Sequence, residues 1–266
     1  MGTDIKALRT RIKSVGSTLQ LTKAMGLVAS SKIRKANSLM EAGRQFASSV
    51  QNIVDLLVCC NECKNSPYMQ KTEGKTRLIC IAGDRGLAGG YNANIFRLVK
   101  EYPDAEIYAI GKRACDKFGG ENICAEKFDF ADAKALSDKM CIDFAKGEFA
   151  RLGIVCTKYI NMMTQQAEVV WVLPLEKPQN IQNKSVVFEP DELTVLNKAV
   201  PEYVAAIITA CVRESFASEV ASRRVAMDSA GKNAQQMIDD LGLEYNRARQ
   251  GAITQEITEI VAGSGL

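Results

Sequence analysis

The chain has 266 residues, of which 47% are hydrophobic and 24% charged, and its formal net charge is +3. That profile belongs to a globular protein of one or two domains, long enough to bury a core, and so small a charge does not by itself call for nucleic acid or an anionic membrane. No apolar run approaches the roughly 20 residues of a membrane span, and nine cysteines, an odd number, argue against a disulfide framework.

Met1 leads straight into a charged, periodic segment with no signal peptide, which reads as a cytosolic chain or one held at a membrane by partners. Ile5, Leu8, Ile12, Val15, Leu19 and Thr22 step by three and four, a heptad seam, and Val28, Ile33, Ala36, Met40, Ala47, Val50, Val54 and Leu57 continue it. A helix over 3–57 would be about 80 Å long, too long for the interior of a compact domain.

All six prolines lie between positions 67 and 201, so both ends are free to form long helices and the middle is not. The middle predicts alternating elements: a strand at 77–82, a glycine-rich turn at 83–91, a helix at 92–101, a strand at 106–111 and a helix at 112–118. A strand at 123–128, a helix at 133–150 and a closing hairpin of strands at 154–160 and 167–173 follow. This order implies a mostly parallel, doubly wound sheet, with 66–75 and 176–191 as joints to the helices.

Val225, Ala230, Ala234, Ile238, Leu241, Tyr245, Ala248, Ala252, Ile257 and Ile260 mark an apolar face on the C-terminal segment. Two long helices at opposite ends of one chain pair most simply as an antiparallel coiled coil. Residues 1–44 carry nine basic and two acidic side chains, and residues 202–266 carry six basic and nine acidic. The two segments therefore attract modestly, and a positive surplus is left for an acidic partner. The expected division is a coiled-coil helix at 1–65, a Rossmann-like α/β domain at 66–190 and a second coiled-coil helix at 191–266.

Three features could carry chemistry. The run from Gly83 to Asn92 follows a strand and opens a helix as a phosphate cradle would, but its glycine spacing is neither a dinucleotide fingerprint nor a Walker motif. A nucleotide site and a purely structural turn both stay open on these residues. Cys60 and Cys63 form a C-x-x-C beside Cys59, yet there is no second pair and no histidine, which leaves a zinc site short of ligands. The basic N-terminal helix could meet nucleic acid or lipid, but it has no aromatic residue between Met1 and Gln45 to stack or to anchor. With no histidine the usual general base is missing, and the residues alone describe a scaffold or mechanical element poor in catalytic groups.

Three stretches carry a resemblance. Ile5-Lys6-x-Leu8-Arg9-x-Arg11-Ile12-Lys13-Ser14, with Leu21-Thr22-Lys23-Ala24-Met25-x-x-Val28-Ala29-x-x-Lys32-Ile33-Arg34, resembles the opening of F-type ATP synthase gamma subunits. Gly83-Asp84-Arg85-Gly86-Leu87-Ala88-Gly89-Gly90-Tyr91-Asn92 is similar to that family's S-D-R-G-L-C-G-G-x-N. The run from Tyr245 through Ile253-Thr254-Gln255-Glu256 to Gly263 resembles the family's C-terminal signature. Gly83 stands where the family usually has serine, Ala88 where it often has cysteine, and Ser264 replaces an alanine.

The resemblance implies a rotating, non-catalytic shaft that couples ion flow to conformational cycling of a catalytic ring. Its partners would be the alpha and beta subunits, the epsilon subunit and the membrane rotor ring of c subunits. It implies no cofactor, no metal, no nucleic acid and no direct membrane insertion. It implies a bacterial chain, held peripherally at the cytoplasmic face of the cell membrane. The implied subunit contacts are Lys6, Arg9, Lys13, Lys23, Met25, Arg85, Leu87, Ala88, Arg249, Gln250, Ile253 and Glu256.

Overall fold

A computed structural model of the chain describes residues 5–121, 123–178, 186–263 and 265. The elements run α1 (Ile5–Cys59), β1 (Thr76–Ile81), α2 (Tyr91–Val99), β2 (Glu106–Ile110), α3 (Lys112–Phe118), α4 (Phe130–Ala145), β3 (Arg151–Tyr159), β4 (Gln165–Leu173) and α5 (Glu192–Gly263), with two short 3-10 turns between α1 and β1. The chain divides into two compact units: Met1–Ala29 with Arg224–Leu266, and Ser30–Arg223.

In the first unit the N-terminal part of α1 pairs with the C-terminal part of α5. A side chain added at Gly26 would meet Met227, and one added at Gly231 would meet Thr22. Four residues back along α1 thus match four residues forward along α5, which makes the pair antiparallel. Leu8, Leu19, Thr22 and Ala29 are buried from one side, and Met227, Ala234 and Leu241 from the other. Each large side chain among them contributes about 1.5–3 kcal/mol by leaving water. Arg224 adds a hydrogen bond from Nη1 to the Gly26 carbonyl at 2.9 Å. Val28, expected in the seam, is exposed, and the neighbouring Ala29 is buried in its place. Extending this register puts Ile5 opposite Ala248. Beyond it Ile253, Ile257 and Ile260 stand in solvent, Ile260 to 70%.

The second unit is built on a four-stranded sheet of order β2-β1-β3-β4. β1 runs parallel to both β2 and β3, and β4 returns antiparallel to β3 from a hairpin. β1 is apolar without alternation from Leu78 to Ile81 because it is covered on both faces. On one face Leu78, Cys80 and Val155 pack with Tyr91, Ile95 and Val99 of α2 and Ala114 of α3. On the other, Ile79, Ile81, Leu152, Ile154 and Cys156 pack with α4 and with Val54, Leu57, Leu196, Val204 and Ile208 of the long helices.

Four sequence expectations are corrected here. The stretch at 123–128 is not a strand: the Ala125 and Glu126 amides, which a ladder would need, go to the Asp84 carboxylate. α4 starts at Phe130 rather than 133, because Asp129 and Asp132 form a reciprocal capping box, and it ends by Ala145. α5 begins at Glu192 and holds Pro201 inside it. One 18-residue window of α5 has mean hydropathy 1.4, long and apolar enough to cross a membrane by composition, contrary to the expectation from the sequence. Of that window 61% is buried inside the fold, as a core helix would be.

Candidate functional site

The 83–92 loop leaves the end of β1 at the carboxyl edge of the sheet. Its close approach to β2 depends on Gly111, whose φ is +93° and where an added Cβ would lie 1.9 Å from the Ala82 carbonyl oxygen. Asp84 is the loop's anchor. Its Oδ1 accepts from the N–H groups of Lys112 (3.1 Å) and Ala125 (3.0 Å), and its Oδ2 from Glu126 N–H (2.9 Å) and the Cys124 thiol (3.2 Å). Burial pushes the Asp84 carboxyl up, but the amides of Glu126, Ala125 and Lys112 outweigh it and hold it below its ordinary value.

Side chains of α5 hold the other side of the loop. Ser222 donates to the Ala88 carbonyl at 2.8 Å, and Arg223 donates to the Gly86 carbonyl at 3.4 Å. Tyr91 donates its phenol proton to the Ser215 carbonyl at 2.9 Å, and burial raises its pKa. Glu219, 3% exposed, pairs with Arg223 and lies directly against Gly83. Burial raises the Glu219 carboxyl even though Arg223 opposes the shift. A phosphate in this loop would meet that buried carboxylate, so the electrostatics oppose the cradle reading.

Between these ties the loop turns two side chains outward. Leu87 has φ +62°, the one non-glycine with positive φ among the described residues, and is 63% exposed. Arg85 is exposed as well. Ala88 is buried in the α2 core, so of the three expected loop contacts only Arg85 and Leu87 present their side chains.

The remaining expected contacts fall on the paired helix segments of the first unit. Lys6, Arg9, Lys13 and Lys23 are exposed on α1, and Met25 is half-buried. Arg249, Gln250, Ile253 and Glu256 are exposed on α5. In the C-x-x-C, Cys60 lies one residue past the end of α1 and Cys63 in a 3-10 turn, where it is buried and its thiol is pushed to about 11 by desolvation. Among the described residues no group of three or more His, Cys, Asp or Glu side chains could hold a metal.

Sequence reasoning missed Glu219, Ser222 and Arg223. Their four-residue spacing puts Glu219 and Arg223 on one helix face, but nothing local says that the face meets a loop more than 130 residues earlier.

The family model for ATP synthase matches residues 4–265. The chain is 39% identical over 279 residues to the ATP synthase gamma chain of Ruminococcus albus, covering 98% of both chains. It is 36% identical over 298 residues to the sodium ion specific ATP synthase gamma chain of Acetobacterium woodii, covering 99% of both. Among solved structures its fold is similar to a chain of the rotor of Euglena gracilis mitochondrial ATP synthase, with TM-score 0.70 and 18% identity, covering 94% of this chain and 98% of that one. A chain of the central stalk and c-ring of the Tetrahymena thermophila mitochondrial enzyme matches with TM-score 0.62 and 23% identity, over 79% of this chain and 99% of that one. With this coverage from end to end and this level of identity, the chain belongs to the ATP synthase gamma-chain family.

Proposed function

We propose that the chain is the non-catalytic central shaft of an F-type ATP synthase, turned by a membrane rotor ring of c subunits and driving conformational change in a ring of alpha and beta subunits. The observation that carries this reading is the end of α5. Ile253, Ile257 and Ile260 lie past the register of α1, and an apolar face left in water marks a binding surface. A collar of apolar walls around the tip would cover it. The solved rotor and central-stalk chains share this fold.

The division of labour follows the elements. The coiled coil is the axle, and the α/β domain meets epsilon and the rotor ring. The exposed bases Lys6, Arg9, Lys13 and Lys23 face acidic segments of beta subunits. Arg85 and Leu87 form a second contact at the lower rim of the head, and Arg249, Gln250 and Glu256 a third near the tip. The chain is held at the cytoplasmic face of the membrane by these partners, without inserting itself.

Limited proteolysis tests the reading. Cleavage after Arg247 or Arg249 is fast in the free chain and strongly slowed after assembly with alpha and beta chains. Equal rates in the two states would overturn the axle assignment.

A further inference from the structure

We propose that Glu219 is a positioning residue: its carboxylate clamps the 83–92 loop to α5 and thereby fixes the outward pose of Arg85 and Leu87. The inference rests on the loop contact proposed above.

The geometry is specific to a glycine at position 83. A Cβ built there would lie 2.8 Å from the Glu219 carboxyl carbon, with the two carboxylate oxygens at 2.9 and 3.1 Å. Separations under about 3 Å do not occur in relaxed packing, so the carboxylate occupies the space a side chain would have taken. Glu219 accepts a hydrogen bond from the Arg85 backbone N–H and an ion pair from Arg223. Arg223 in turn reaches the Gly86 carbonyl and Ser222 the Ala88 carbonyl. Backbone groups of residues 85, 86 and 88 are thus all held by one turn of α5. The side chains of Arg85 and Leu87 take no part in these ties and are exposed. A leucine at positive φ is strained, and such a conformation persists only where surrounding bonds over-determine it. The clamp supplies those bonds.

Arg223 and the Arg85 backbone N–H favour the charged carboxylate, Asp84 opposes it, and the carboxylate in turn helps keep the Tyr91 phenol protonated. The clamp therefore depends on these two attractive partners and on the empty space at Gly83.

The test uses the assembled ATP synthase carrying gamma-chain variants, read as ATP turnover and as ions transported per ATP. Glu219→Gln keeps the shape and removes the charge, and Gly83→Ala pushes the unchanged carboxylate away. Each lowers the transport-to-turnover ratio at least about twofold, in the range of residues that bias coupling without touching a ligand. The double variant is no worse than either single one, because both act through the same carboxylate. The isolated Glu219→Gln chain melts no lower than wild type at neutral pH, which separates positioning from a loss of folding. Leu87→Ala is the control for the loop contact itself. If Leu87→Ala lowers the ratio while Glu219→Gln and Gly83→Ala do not, the clamp is overturned and the loop contact stands. If Leu87→Ala has no effect, the loop contact fails and the inference fails with it. Additive losses in the double variant would also overturn the clamp.

Discussion

Arg44 Nη2 stands 2.6 Å from Glu214 Oε1, joining α1 to α5, and both groups also bond the backbone of Tyr159 at the end of β3. The guanidinium donates to the Tyr159 carbonyl at 2.9 Å, and the carboxylate accepts the Tyr159 N–H at 2.9 Å. Two helices and a strand therefore meet at one ion pair. Hydrogen bonding to Glu214 raises the Arg44 pKa against a smaller effect of burial.

Arg44→Ala should cost about 1 kcal/mol, less than a fully buried charged hydrogen bond because the Arg44 side chain is partly exposed. Glu214→Gln should cost a similar amount. In urea unfolding, the double variant should lose less than the two single losses combined, by at least about 0.5 kcal/mol. Additive losses would mean that the pair is not a unit.

Asp84 and Glu219 should impose opposite pH dependences. Asp84 has a lowered folded pKa, so its contribution is present above the unfolded value near ~3.9 and is lost as pH falls through the folded one. Asp84→Asn also sets an amide donor against backbone donors, a cost of about 1–3 kcal/mol at neutral pH that shrinks in acid. Glu219 has a raised folded pKa, so the proton it binds stabilises the fold fully below the unfolded value near ~4.3, and that contribution is lost as pH rises through the folded one. Wild type should therefore gain on Glu219→Gln as the pH is lowered. Denaturant midpoints measured across the acid range check both signs, and a reversed slope for either variant would refute its assignment.

Two glycines with similar φ should differ sharply. Gly111→Ala drives a Cβ into the Ala82 carbonyl and should cost more than about 3 kcal/mol or prevent folding. Gly119 has φ +81° but nothing within 4 Å of an added Cβ. Gly119→Ala should show only the backbone penalty, about 1–3 kcal/mol. Thermal melts of the two variants measure the contrast.

Replacing Ile257 and Ile260 by glutamine should change the stability of the free chain by no more than about 0.5 kcal/mol, since both are already exposed. Self-association of the isolated chain should fall. Sedimentation of wild type and variant at equal concentration decides, and unchanged association would show that this apolar face is not what the free chain exposes to itself.

Much of the fold was legible because its elements obey local rules. The seam from Ile5 to Leu57 is buried or half-buried at every position but Val28, and the strands follow apolar, β-branched runs. Local rules failed where a distant group competed for the backbone. The 123–128 stretch has strand-like residues, but Asp84, some 40 positions earlier, takes its amides. Pro201 reads as a break, yet it sits inside α5, where packing of Val200 and Val204 outweighs the missing hydrogen bond. At the candidate site the motif marked the loop, in which Arg85 and Leu87 are exposed and Ala88 is buried. It did not identify Glu219, whose position beside Gly83 exists only once the helix and the loop are brought together.

Pro201 has a further consequence in the rate of amide exchange. Lacking an N–H, it cannot bond the Asn197 carbonyl, so the helical ladder of α5 is interrupted at its tenth residue. Polar ties at this point come from elsewhere in the fold: Ser137 donates to the Pro201 carbonyl, Ser66 donates to the Asn197 side chain, and Lys134 pairs with Glu202. The segment from Glu192 to Val200 is thus held by its neighbours more than by the helix it begins. It should therefore open locally before the rest of α5, and amide exchange is expected to be faster here than in the turns that follow.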